Sequence, residues 1–448
     1  MERAERAEQV RRALPAGGLF AHQQWRTALD PFRLDPGIAR DIENLGRILL
    51  QFYRSVNLLY RRSVEGRSPG WVAELLDQGK SPELLSWQRN ATFRNELPRV
   101  IRPDLLLTEE GLAVTELDSV PGGIGLTQWL NETYSHLPAA GAGELSRGEV
   151  LGGATGMRDG FGSIFGNAAR VHLVVSAEAA SYRPEMDWLA ESDARFQVRD
   201  TSFMDFQPGD AVYRFFELFD LPNVANAGRI FEMAARKEIR LTPPLKPIFE
   251  EKLLFALLWN RNLQAYWRQE LGESFFQRLL RIVPRSWVLD PAPLPPHGAY
   301  PELDLTDWQQ LKNLSQRDRD LILKISGYSE TAWGARGVSL GSDLSAADWG
   351  SAVDRALQSW PASPYVLQRY HKPRLAEIEW FDFEARIAKT MKGRVRLCPY
   401  FFVSGDGDAI RSHLGGVLAT ICPADKKIIH GMTDAVLAPC AVGTIDPA

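Results

Sequence analysis

The chain has 448 residues, 45% of them hydrophobic and 24% charged, with a formal net charge of −4. That length supports two or three packed layers or domains, and the small net charge without a long Lys/Arg run speaks against a nucleic-acid surface. Three scattered cysteines (Cys398, Cys422, Cys440) and seven scattered histidines offer neither a disulfide framework nor a zinc site, and no apolar stretch reaches the ~20 residues a bilayer span needs.

The opening MERAERAEQVRRALP is charged and lacks an apolar centre, so no secretory signal is read and the expected compartment is the cytoplasm. Residues 36–60 carry apolar side chains at helical spacing and predict a long amphipathic helix, followed by a second helical stretch at 71–76. A strand pair is expected at 104–107 and 113–117, then a Gly-rich connecting loop over 138–166. Val171–Val175, a helix near 186–191 and a strand near 196–198 give a strand–helix–strand order. It suggests a small Rossmann-like layer without a dinucleotide fingerprint. Prolines at 243–247 precede an expected strong helix at 248–267, and 291–301 reads as a linker. Beyond it come Leu321–Ile325, 349–360, 366–368 and two late strands near 400–403 and 417–421. The class is mixed α/β (α+β) with antiparallel sheet.

The most informative segment is IRPDLLLTEEGLAVTELDSVPGGIG. A three-residue loop at 109–111 closing on a left-handed Gly111 sets Asp104 opposite Glu116 and Arg102 opposite Asp118. Residues two apart in a strand share a face, so all four project to one side while Leu105, Leu107, Ala113 and Leu117 face a core. Three crowded carboxylates repel one another, and Arg102 offsets only part of that. A divalent cation neutralises such a cluster, and magnesium takes hard oxygen ligands of this kind while bridging phosphates. A surface hairpin with solvated acids explains the pattern equally, and a one-residue slip separates them. The Pro121–Gly125 run then lets backbone approach a ligand closely and offers amides to an anion, as an ordinary loop also does.

LILKISGYSETAWGARGVSLG places Lys324 on an apolar strand before a loop rich in Gly, Ser and Thr. A lysine in such a strand needs a partner, and polyphosphate is one, with the loop folding over it; a lysine reaching solvent at a strand end is the alternative. This is not a Walker A sequence. The strand in YVLQRYHKP offers backbone groups to an adenine edge. Lys252, in FEEKLLFALLW, reads by itself as a solvated helix residue. Arg386, Lys389, Lys392, Arg394 and Arg396 form a basic run before a late strand; part of it faces an anion and most of it is a solvated face.

Arg102-x-Asp104 followed by Glu116-x-Asp118 resembles the metal-binding hairpin of glutathionylspermidine synthases, although that family usually has Asn where Asp118 stands. The resemblance implies a circularly permuted ATP-grasp fold with a small Rossmann-like (pre-ATP-grasp) layer. The regions are residues 1–137 (helices and metal-binding hairpin), 165–240 (the layer) and 241–448 (the nucleotide-binding portion). It implies magnesium on Asp104, Glu116 and Asp118, with Arg102 supporting the transferring phosphoryl group. It further implies ATP contacts from Lys252, Lys324, Ser326, Gly327, Gly334, Gly337 and Gln368, the last at the adenine hinge. Gly122, Gly123 and Arg386 are candidate substrate contacts. The family's late arginine followed by Glu is replaced near Ala419-Thr420, with Arg386 or Arg411 as candidate substitutes.

The implied activity is ATP- and magnesium-dependent carboxylate–amine ligation through an acyl phosphate, on small-molecule acids and amines for which peptide and polyamine are the family's precedent. Two other readings stand beside it: an ATP-grasp phosphotransferase acting on a non-carboxylate acceptor, and a nucleotide-binding protein without turnover. The sequence names neither substrate and no oligomeric state.

Overall fold

The computed structural model describes residues 3–15, 24–137, 149–295, 298–300, 302–332, 336–360, 362–427, 429 and 433–443. The described residues are mixed α/β with three sheets, and the chain divides into two compact units. The first comprises Met1–Leu50, Ala91–Leu245 and Pro373–Ala448; the second comprises Gln51–Asn90 and Lys246–Lys372. The helix Pro36–Val64 runs from one into the other. Asp35 starts it by accepting the Gly37 amide at 2.7 Å, and Ala39, Ile42, Leu45, Leu49, Val56 and Leu59 bury one stripe. Among the described residues no helix is long and apolar enough to cross a membrane.

The first unit is built on an eight-stranded sheet whose long strand Ile387–Ser404 is central. The outer part of that strand pairs with Leu375–Asp382, and its inner part lies between Arg411–Pro423 and Val100–Thr108. Val100–Thr108 in turn carries Gly111–Asp118 at the sheet edge. A second, parallel sheet runs in the order Phe196–Arg199, Val171–Val175, Ala211–Phe215, Arg240–Thr242. Its two inner strands are buried at every residue, as a parallel sheet covered on both faces requires. The helix Arg183–Glu191 makes the crossover, as the strand–helix–strand order predicts.

The expected loop over 138–166 is not loop throughout. Residues 138–148 of the expected loop lie outside the described residues, but Gly156–Ser163 is a helix. Its glycines are there for contact: a side chain at Gly160 would overlap the Phe402 ring, and Phe161 packs edge-on against Phe165, Phe196 and Tyr213. Close packing thus selected the residues that read as loop.

The second unit holds a four-stranded antiparallel sheet in the order Val338–Leu340, Leu321–Ile325, Tyr365–Arg369, Ser286–Val288. Leu321, Leu323, Leu367 and Trp287 join Trp349, Val353 and Ala356 of the helix Ala346–Gln358 in one apolar cluster. The expected single helix over 248–267 is broken. A short 3-10 turn Pro247–Glu250 leads to extended Glu251, then to the helix Leu253–Trp259, a turn at Arg261–Leu263, and the helix Gln264–Ile282. Asn260 makes the second break by accepting the Asn262 amide at 2.9 Å. Lys252 therefore stands at a helix start and not within one.

Candidate functional site

In the first unit the hairpin pairs Asp104 with Glu116 and Arg102 with Asp118, in the expected register. The route to that register differs. Thr108 pairs with Gly111 across a two-residue turn, and the register shifts by one between Asp104 and Leu105, leaving Thr115 as an extra residue. Thr115 Oγ1 donates to the Asp104 carbonyl at 3.1 Å across this bulge. The bulge, and not a three-residue loop, turns the acids onto one face.

Arg102 Nη2 lies 3.1 Å from Asp104 and 3.0 Å from Asp118, and its Nη1 donates to the Gly122 carbonyl at 3.2 Å. Burial works to lower the arginine's pKa, but the two carboxylates override it and hold the proton more firmly than usual. Asp118 is pushed above the usual carboxylate range because burial outweighs Arg102 and the Val120 amide it accepts. A second guanidinium, Arg396, sits 3.3 Å from the other oxygen of Asp104, and Cys398 Sγ donates to Asp104 at 3.5 Å. Burial, then Asp104, pushes the Cys398 thiol up to about 12, so it stays protonated. The Nε atoms of both arginines are buried and make no hydrogen bond.

The glycine run after the hairpin is not open to an external anion as expected. Gly123, at φ 86°, starts the helix Ile124–His136, and the amides of Gly123 and Gly125 donate to the two oxygens of Glu185 at 3.1 and 2.7 Å. A protein carboxylate thus occupies the helix N-terminus. The Gly122 carbonyl accepts Tyr400 OH at 2.7 Å as well as Arg102, and a side chain at Gly122 would overlap the Tyr182 ring. The two glycines bring backbone to Arg102 and Tyr400.

Burial pushes the Glu185 carboxyl up to about 7, although three backbone amides oppose the shift. Its folded pKa exceeds the ordinary 4.5, so its stabilising contribution is complete below about 4.5 and is lost as the pH rises toward 7. The loss amounts to ~3 kcal/mol. Urea unfolding of the wild type and Glu185→Gln from pH 5 to 8 should show the wild type losing ground by about that amount relative to the variant. A difference that stays flat with pH would contradict the buried titration.

In the second unit Lys324 is buried on a strand paired on both sides. Its Nζ donates to Gln368 Oε1 at 2.9 Å, Gln368 Nε2 donates to Ser286 Oγ at 3.2 Å, and Ser286 donates to the Pro284 carbonyl at 2.9 Å. This polar stripe crosses three strands on the face opposite the apolar cluster. Residues 366–368 are paired on both sides, so their backbone is committed to the sheet and not to an adenine edge; Gln368 contributes its side chain. Ser326 hydrogen-bonds Glu251 through its hydroxyl, and its amide donates to Pro364 at 2.9 Å. Lys252 Nζ donates to the Ala332 carbonyl at 3.3 Å. Gly337 passes over Ile325 with no room for a side chain; Gly334 lies outside the described residues.

No family model and no curated protein sequence matches the chain. Solved structures do. A glutathione synthetase-like effector from Globodera pallida, solved without ligand, aligns over 99% of this chain and 98% of its own at 11% identity, with a TM-score of 0.53. This chain shares that protein's fold. A putative gamma-glutamylcysteine synthetase from Methylobacillus flagellatus aligns over 83% and 87% at 12% identity, with a TM-score of 0.39.

Within this fold the structure gathers some predicted residues and separates others. Arg102, Asp104, Glu116, Asp118 and Gly122 are together. Arg386 is exposed at the turn between Leu375–Asp382 and Ile387–Ser404, ten residues and ~33 Å along the strand from Arg396. Arg411 opens its strand nine residues from Thr420. Neither stands beside the hairpin acids. Arg396 does: it is paired in register with Thr420 on one side and Leu106 on the other. The sequence carries a signal for it, because an arginine inside RVRLCPYFFV needs a buried partner. Arg386, Lys389 and Lys392 form the exposed part of the run, whereas Arg394 is buried and donates to the Ala424 and Pro373 carbonyls. Glu185, sixty residues from the glycines it holds, had no sequence signal.

Proposed function

We propose that the chain is an ATP- and magnesium-dependent carboxylate–amine ligase of a circularly permuted ATP-grasp kind, resembling glutathionylspermidine synthases. The observation that carries this reading is Arg102 bridging Asp104 and Asp118 beside Glu116. Arg102 and Arg396 offset two of the three carboxylate charges, and the remaining negative charge is what a bound cation would meet. The fold shared with a glutathione synthetase-like protein agrees with the reaction class.

Among the described residues no three His, Cys, Asp or Glu side chains converge as a metal cage, and Asp104 and Asp118 already face Arg102. The donor set still suits magnesium, which is held through one or two carboxylates plus substrate phosphates, so the ion is proposed to arrive with the nucleotide. One or two of Asp104, Glu116 and Asp118 would hold it, and bound there it would supply charge neutralisation along the phosphates.

In the proposed reaction a substrate carboxylate oxygen attacks the γ-phosphorus and ADP leaves. An amine then attacks the acyl carbon, expels phosphate and loses a proton. Arg102 and Arg396 stabilise the charge that grows on the transferring group. Arg396 takes the part the family gives to an arginine near position 420. In the second unit Lys324, oriented by Gln368, and Lys252 neutralise the polyphosphate.

Hydroxylamine trapping tests this. With ATP, magnesium and a panel of peptide and small carboxylic acids, an acid should release ADP and yield a hydroxamate, and EDTA should stop both. ADP release with phosphorylation of a hydroxyl and no hydroxamate would overturn the ligase reading in favour of a phosphotransferase.

A further inference from the structure

The second unit contains a buried charge pair that the proposed chemistry does not use. Lys80 Nζ lies 2.5 Å from Glu251 Oε1, and each side chain is 1% exposed. Two charges so far from water cost more than they return unless every remaining donor and acceptor is engaged, and an apolar pair of similar volume holds a fold equally well. The use of the pair therefore lies in what it fixes.

Both ends of it reach the segment that follows Lys324. Glu251 Oε2 accepts the Ser326 hydroxyl, and the Lys80 ammonium stands 5.3 Å from the centre of the Tyr328 ring. The neighbours of Glu251 act on the same segment. Gly327 lies so close to the Glu250 carbonyl that no side chain fits there, and Lys252 Nζ donates to the Ala332 carbonyl at 3.3 Å. Glu251 and Lys252 thus hydrogen-bond the segment at Ser326 and Ala332, and Glu250 packs closely against it at Gly327. Glu251 is adjacent to Lys252 in sequence, and Ser326 is two residues from Lys324. A displacement of Glu251 therefore moves both lysines assigned to the nucleotide.

We propose that Lys80 and Glu251 are positioning residues for polyphosphate binding: their ion pair sets the root of the Ser326 segment and with it the placement of Lys252 and Lys324. The inference rests on the nucleotide reading above. It adds a residue, Lys80, that lies 171 positions from its partner.

Lys80→Met alone strands Glu251 and risks unfolding, so the informative variant is Lys80→Met/Glu251→Met, which removes both charges and keeps the volume. Calorimetric titration with magnesium-ATP is the readout, beside thermal melts of each protein. The double variant should melt no lower than wild type yet bind magnesium-ATP about tenfold more weakly or worse. Glu251→Gln, which keeps a hydrogen-bonding group for Ser326, should fall between them. A double variant as stable as wild type that binds magnesium-ATP within twofold of it would overturn the positioning role and leave the nucleotide reading standing. A wild type that binds no magnesium-ATP would sink that reading and this inference with it.

Discussion

Arg102→Met is expected to lower the stability of the fold by ~3 kcal/mol and to reduce turnover at least about a hundredfold. Arg102 forks to three acceptors, namely Asp104 at 3.1 Å, Asp118 at 3.0 Å and the Gly122 carbonyl at 3.2 Å. Without it Asp118 keeps only the Val120 amide among these contacts, and Asp104 keeps Arg396 and Cys398. Breaking a largely buried ion pair from one side costs about 3–5 kcal/mol, and the residual Arg396 contact places this case at the low end. Arg102→Lys should not rescue it, because an ammonium cannot span three acceptors in the plane of a fork. Urea unfolding gives the first effect and ADP release the second. A variant that unfolds at the wild-type midpoint would show that Arg102 is not what holds the two acids.

Much of this arrangement is legible in sequence, because strand periodicity decides which side chains share a face. The alternation across residues 101–118 suffices to place Arg102, Asp104, Glu116 and Asp118 together, and Val171–Val175 and Leu321–Ile325 are read to the residue. Local rules fail where the decisive contact is distant. The Thr115 bulge is invisible because a longer turn produces the same pairing. The run through FEEKLLFALLW reads as uninterrupted helix, yet Glu251 is extended because its carboxylate is drawn to Lys80 and Ser326. Arg396 is masked by the charged neighbours on the exposed half of its own strand. Glu185 turns an apparent anion site into an internally capped helix, and only the folded chain brings it there.

Glu116→Gln should act on the fold in the opposite sense to Arg102→Met while sharing its effect on turnover. The hairpin face carries the carboxylates of Asp104, Glu116 and Asp118 against the guanidiniums of Arg102 and Arg396. Neutralising Glu116, which is paired directly opposite Asp104, relieves repulsion between like charges across the strand pair. Stability in metal-free buffer should therefore hold or rise. Turnover should fall roughly a hundredfold, because a carboxylate proposed to hold the magnesium that neutralises the phosphates is gone. A carboxylate kept only for structure behaves otherwise, since its loss leaves a partner unsatisfied and destabilises the fold. The decisive measurement pairs thermal melts of wild type and Glu116→Gln in EDTA with their rates of ADP release in magnesium. An unchanged or higher melting temperature with the large loss of rate is the predicted result, and a variant that melts early while retaining full specific activity would contradict the account.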